Sequence, residues 1–64
     1  MMRVKLERMR DGVETVWEAS HVELEETFLV ITPRGSKGGI SIADINRFGE
    51  WKDDDGEAVT ITIV

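Results

Sequence analysis

The sequence predicts an all-β domain, mostly antiparallel, with about five strands arranged as a meander or small barrel. Three observations carry this. Apolar and polar residues alternate with a period of two at both ends of the chain: Met2, Val4 and Leu6 against Arg3, Lys5 and Glu7, and Val59, Ile61 and Ile63 against Thr60, Thr62 and Val64. Turn signals at Asp11-Gly12, Pro33 to Gly39 and Asp53 to Gly56 cut the chain into short pieces at the spacing of a β meander. The 64 residues, 41% hydrophobic and 33% charged, suit one globular domain over residues 1–64 and are too apolar for a disordered chain.

Taken in order, residues 2–9 form the first predicted strand. Asp11-Gly12 follows, and an Asp-Gly pair between alternating runs favours a two-residue type I′ turn with both central φ angles positive. Residues 13–19 alternate again, with Val13, Thr15, Trp17 and Ala19 on one side, completing a hairpin. Residues 21–32 hold Val22 and Leu24 against His21, Glu23 and Glu25, then the apolar run Phe28 to Ile31. Glu25-Glu26 marks a turn or bulge within this stretch. Pro33, which has no amide to donate, ends the strand.

Ile40 and Ile42 resume a strand after the glycine-rich loop. Ile42, Ile45, Phe48 and Trp51 then recur every three residues, and Ser41 with Asp44 fits a helix-capping pair. This predicts a short helical turn at 43–48, with a long bent strand as the rival. Residues 52–56 form an acidic turn, and residues 58–64 form the last strand, a candidate sheet edge. The stretch Thr27 to Ile45 combines an apolar strand (Phe28-Leu29-Val30-Ile31), a glycine-rich loop and Ile40-Ser41-Ile42-Ala43-Asp44-Ile45. It resembles the middle of small bacterial PH-like domains, and the resemblance implies a reduced PH-like half barrel as an alternative architecture.

Composition removes several classes of function. The absence of Cys excludes disulfides, thiolate zinc sites and cysteine nucleophiles. The longest apolar run, Phe28 to Ile31, is far too short for a membrane span. The N-terminus has no apolar stretch of the secretory type, so a cytoplasmic location is expected. The net charge of −5 argues against direct binding of nucleic acid or anionic lipid. A domain of this size buries only about 60% of the surface its unfolded chain exposes, so self-association or docking on another protein is expected.

Charge comes in alternating blocks. Residues 1–10 sum to +3, residues 11–30 to −6, residues 31–52 to +2 and residues 53–64 to −4. If consecutive blocks form neighbouring strands, cations and anions face each other across the sheet.

No catalytic set emerges, and neither an enzyme activity nor a cofactor or metal is expected. Ser20 and the only imidazole, His21, are sequence neighbours and point to opposite faces of a strand. Glu14, Glu18, Glu23 and Glu25 read as solvated strand residues, and Asp53-Asp54-Asp55-Gly56-Glu57 lacks the alternate ligand spacing of a calcium loop. The best small-ligand candidate is Arg34, Gly35, Ser36, Lys37 and Gly38, where glycines and cations are suited to an anion. The candidate protein interface is Trp51 with Thr60, Thr62 and Val64, while Trp17 is expected in the core.

These features favour a non-enzymatic module that binds itself, as a homo-oligomer, or another protein through a sheet edge or exposed aromatic surface. Two alternatives stand beside it: an acidic inhibitor imitating nucleic-acid phosphates, and a small anionic-ligand binder using the loop from Arg34 to Gly39.

Overall fold

A computed structural model describes residues 1–64 as six strands: β1 (Met2–Arg8), β2 (Glu14–Glu25), β3 (Phe28–Pro33), β4 (Ile40–Ile45), β5 (Trp51–Lys52) and β6 (Ala58–Ile63). Each strand pairs antiparallel with the next, and β6 returns to pair with β1, so the single sheet closes into a ring. The all-β antiparallel expectation holds. The sheet closes on itself, which a half barrel does not, and the strand count is six because the two-residue β5 is added. There is no helix, and hence none long and apolar enough to cross a membrane.

The inward-facing residues make one core of Val4, Leu6, Ala19, Leu29, Ile31, Ile42, Ala43 and Val59, with Trp17, Val22, Trp51 and Ile61 packed against it. Every strand except β5 supplies at least one buried residue, so the ring is held by its lining. Trp17 is half-buried rather than enclosed.

Two bulges explain where the period of two breaks. Ala19 pairs with Pro33 and His21 with Thr32, so Ser20 is an extra residue on β2. The inward parity switches there, from Trp17 and Ala19 to Val22. Residues 14–25 are therefore one long strand, and the turn is at Glu26-Thr27, where Glu26 takes φ 57°.

The second bulge corrects the helical turn expected at 43–48. Leu29 pairs with Ala43 and Val30 with Ser41, leaving Ile42 unmatched on β4. Ile42 and Ala43 both turn inward. The bulge thus imitates a helical spacing between Ile42 and Ile45. Residues 43–45 are strand, and Ser41 and Asp44 sit opposite Val30 and Phe28 rather than capping a helix.

The first hairpin forms at the expected place with a longer turn. The Arg8 amide donates to the Val13 carbonyl (2.9 Å) and the Gly12 amide to the Arg8 carbonyl (2.8 Å), enclosing Met9 to Gly12. Only Gly12 has positive φ, at 73°. Arg8 binds the Asp11 carboxylate through Nε and Nη2 (2.9 and 2.7 Å), which the tight type I′ turn would not allow.

The charge blocks meet as the sequence suggests. Lys5 lies 3.5 Å from Glu14, Arg34 3.3 Å from Glu18 and Arg10 3.0 Å from Glu57. These exposed pairs each contribute at most about 1 kcal/mol.

Candidate functional site

The thinnest part of the ring is β5. It is limited to Trp51-Lys52 by two turns built alike, seven residues apart. In the first, the Asn46 amide donates to the Glu50 carbonyl (3.0 Å) and the Gly49 amide to the Asn46 carbonyl (3.0 Å). The Asn46 side-chain oxygen accepts from the amides of Phe48 (2.9 Å) and Glu50 (3.0 Å). In the second, the Asp53 amide donates to the Glu57 carbonyl (2.9 Å) and the Gly56 amide to the Asp53 carbonyl (3.0 Å). The Asp53 carboxylate accepts from the amides of Asp55 and Glu57, both at 2.9 Å. Gly49 and Gly56 take φ 79° and 77°. The shared pattern is Asx, two free positions, Gly, Glu. Asx side chains bind amides two residues on, and glycine supplies the left-handed residue. Both occurrences are visible in the sequence, and this signal locates β5. The acidic run at 53–55 thus begins with a carboxylate that holds its own turn.

Because β5 is so short, it pairs with β4 only at Asp44 and Ile45 and with β6 only at Ala58 and Val59. Beyond Val59, the side of β6 facing away from β1 has no neighbouring strand. The register decides which groups face this seam. Arg3 and Val64 exchange both amide bonds (2.9 Å each), and the Met9 amide donates to the Ala58 carbonyl (3.0 Å). In an antiparallel ladder hydrogen-bonded and non-hydrogen-bonded pairs alternate. Thr62 opposite Lys5 and Thr60 opposite Glu7 therefore direct their main-chain groups to β1, and Ile61 and Ile63 direct theirs to the seam.

The sequence-predicted interface residues are redistributed by this parity. Thr60 and Thr62 lie beside the open edge, but their amides belong to the ladder that closes the ring. Their side chains, with that of Val64, share the outer face with Arg3, Lys5 and Val16. Trp51 is half-buried, packs against the core, and lines a groove with Gly49, Ala58 and Ile61 beside the seam. Ile63 and Val64, at the far end of β6, are exposed apolar side chains (47% and 83%), as is Phe48 in the turn before β5 (72%). From Thr60 to Val64 there is no charged side chain and no proline. The main-chain groups that face the seam are those of Ile61 and Ile63, and those of Thr60 and Thr62 face β1.

The loop candidate lies between β3 and β4, and its first residue, Arg34, lines a depression with Arg3, Glu18 and Val64. The Arg34 amide donates to the Glu18 carbonyl (2.8 Å) and its guanidinium pairs with the Glu18 carboxylate. The Ser36 amide donates to the Pro33 carbonyl (2.9 Å), and the Gly38 amide to Ser36 Oγ (3.4 Å), which itself donates to the Gly38 carbonyl (3.1 Å). Gly35 takes φ 81° at the tip, and Lys37 makes no ion pair. Three of the loop's amides are thus engaged within the chain.

Elsewhere, the Ser20 hydroxyl donates to the Thr32 carbonyl (3.4 Å) while His21 lies 3.5 Å from Glu23, and no hydrogen bond joins Ser20 to His21. Glu23 hydrogen-bonds Glu25 and raises the Glu25 carboxyl above its ordinary range, because two neighbouring carboxylates resist sharing charge. Comparison with models of protein families, with curated proteins and with solved structures finds no match to this chain.

Proposed function

We propose that this chain is a non-enzymatic protein-interaction module that accepts a partner strand along the open half of β6. The observation that carries the reading is the pair of main-chain units at Ile61 and Ile63, turned towards the seam with no strand beside them. An added strand gains main-chain hydrogen bonds there, and alternate side chains give it specificity. Sheet edges that are not meant to pair are guarded by charge, proline or a bulge. The segment from Thr60 to Val64 has none of these. The groove lined by Trp51, Ala58 and Ile61 and the exposed Ile63 and Val64 supply apolar surface along the same edge.

The reading is tested by titrating a soluble, lysine-flanked peptide of alternating threonine and valine while Trp51 fluorescence is followed in a Trp17→Phe background. Saturable binding to the wild-type chain that is lost in Ile63→Pro, which removes one seam-facing amide, supports strand addition. Equal binding to both, or none to either at concentrations where the chain is monomeric by light scattering, overturns it.

A further inference from the structure

The open half of β6 matches itself. Resting on the strand-addition reading, we propose that the occupant of the seam is β6 of a second copy of this chain, paired antiparallel about a two-fold axis through Thr62.

The register follows from the geometry. Only Ile61 and Ile63 offer free main-chain groups, since those of Val59 are used by Trp51. An antiparallel two-fold partner that engages both must place Ile61 opposite Ile63 of the second copy, and Ile63 opposite its Ile61. Both are then doubly hydrogen-bonded pairs, and Thr62 faces its own copy in a non-hydrogen-bonded pair at the axis. The facing side chains agree. Ile61 and Ile63 lie on the inner side of the sheet and meet each other. Thr62 meets Thr62 on the outer side, and cross-strand threonine pairs are favourable. A register centred on Ile61 would need Val59, whose edge is occupied.

Charge on the paired strands does not oppose a second copy. Arg3 and Glu7 make no ion pair within the chain, and Glu7 lies opposite Glu14. Arg3 pairs across the ladder with Val64, and Glu7 with Thr60. In the proposed register Val64 lies opposite Thr60 of the second copy. The two flanking outer rows then run from Arg3 of one copy to Glu7 of the other across two residues with neutral side chains, and the row at the axis runs from Lys5 to Lys5, each lysine paired with Glu14 of its own chain. The two chains, each at −5, thus meet where neither presents an acidic side chain on the paired strand. The exposed Ile63 and Val64 are covered at the same time.

The experiment exploits the absence of cysteine, because a single introduced thiol crosslinks only to a second copy. Residues of a non-hydrogen-bonded antiparallel pair have Cα atoms about 4.5 Å apart, within disulfide range. Thr62→Cys is expected to oxidise to a covalent dimer at least about tenfold faster than Thr60→Cys. The thiols of that control lie four residues out of register, roughly 14 Å apart. Thr62→Asp sets two carboxylates against each other at the axis while facing Lys5 in its own chain. It is expected to convert a wild-type dimer to a folded monomer by light scattering, with an unchanged far-UV spectrum.

Equal crosslinking rates for the two cysteine variants overturn the proposal. So does a dimer that survives Thr62→Asp, or a wild-type chain monomeric up to millimolar concentration. Peptide binding that is lost in Ile63→Pro, combined with any of these, leaves strand addition standing and removes only the second copy as its occupant.

Discussion

Thr62 lies directly opposite Lys5 in the ladder joining β6 to β1, and this pairing turns its amide towards β1 rather than towards the open seam. One residue further on, Ile63 presents its amide to the other side. Neighbouring positions on one strand therefore differ: the main-chain groups of one close the ring, and those of the other have no partner strand in the chain.

Proline substitution separates the two. Thr62→Pro removes a donor from the closing ladder and is expected to cost about 1–3 kcal/mol, lowering the melting temperature by several degrees or more. Ile63→Pro removes a donor with no acceptor in the chain and should shift the melting temperature less. Calorimetry on both variants, as monomers, gives the order; the reverse order contradicts the register.

Ile31 has no exposed surface and lies at the centre of the lining. Ile31→Ala is expected to cost about 2–5 kcal/mol and Ile31→Val about 0.5–1.5 kcal/mol. A small domain has little stability to lose, so Ile31→Ala should be largely unfolded at 25 °C while Ile31→Val keeps a cooperative urea transition. Similar midpoints for the two would mean that the ring is held by its ladders rather than its core.

Gly39 is required by a close approach. A Cβ there would stand 2.7 Å from Cγ1 of Val30, whose branched side chain has little freedom to withdraw. Gly39→Ala is expected to cost about 1–3 kcal/mol through overpacking. Val30→Ala should remove most of that penalty in the double variant, and a double-mutant cycle in urea reads the coupling directly.

Two carboxylates push the acid stability in opposite directions. The Arg8 side-chain hydrogen bond, helped by the Val13 amide, holds the Asp11 carboxyl down from the ordinary 3.8 to about 2. Its stabilisation is complete above the unfolded value and is lost as the pH falls from there through about 2. Glu25 is raised by Glu23, so its cost is present at neutral pH and disappears as the pH falls through the raised value. Asp11→Asn should lower the melting temperature at pH 6 and converge with wild type near pH 2. Glu25→Gln should raise it at pH 6, with the gain vanishing in acid. Carboxyl titration by NMR checks both directions.

Much of the architecture could be read from local chemistry. Alternation in residues 2–8 and 58–63 specifies strands, because the side-chain period of a strand is two and one face must be dry. The first hairpin is legible at Asp11-Gly12, and the seam's position is legible in the twin patterns beginning at Asn46 and Asp53. Such signals act within five residues, where a side chain reaches its own backbone. The bulges at Ser20 and Ile42 were hidden, since an extra residue in a ladder is defined only against the strand beside it.

The sequence by itself determined that the chain forms short amphipathic strands, where most of them turn, and that oppositely charged blocks meet. The tertiary structure decided that the sheet closes, that β6 is bonded along β1 and open beyond Val59, and that the free main-chain groups are those of Ile61 and Ile63. The reason is physical: hydrogen-bond direction in a strand alternates residue by residue, and its phase is set by the partner's register. A shift of one residue between β1 and β6 would leave every strand prediction unchanged and exchange the threonines and isoleucines at the edge.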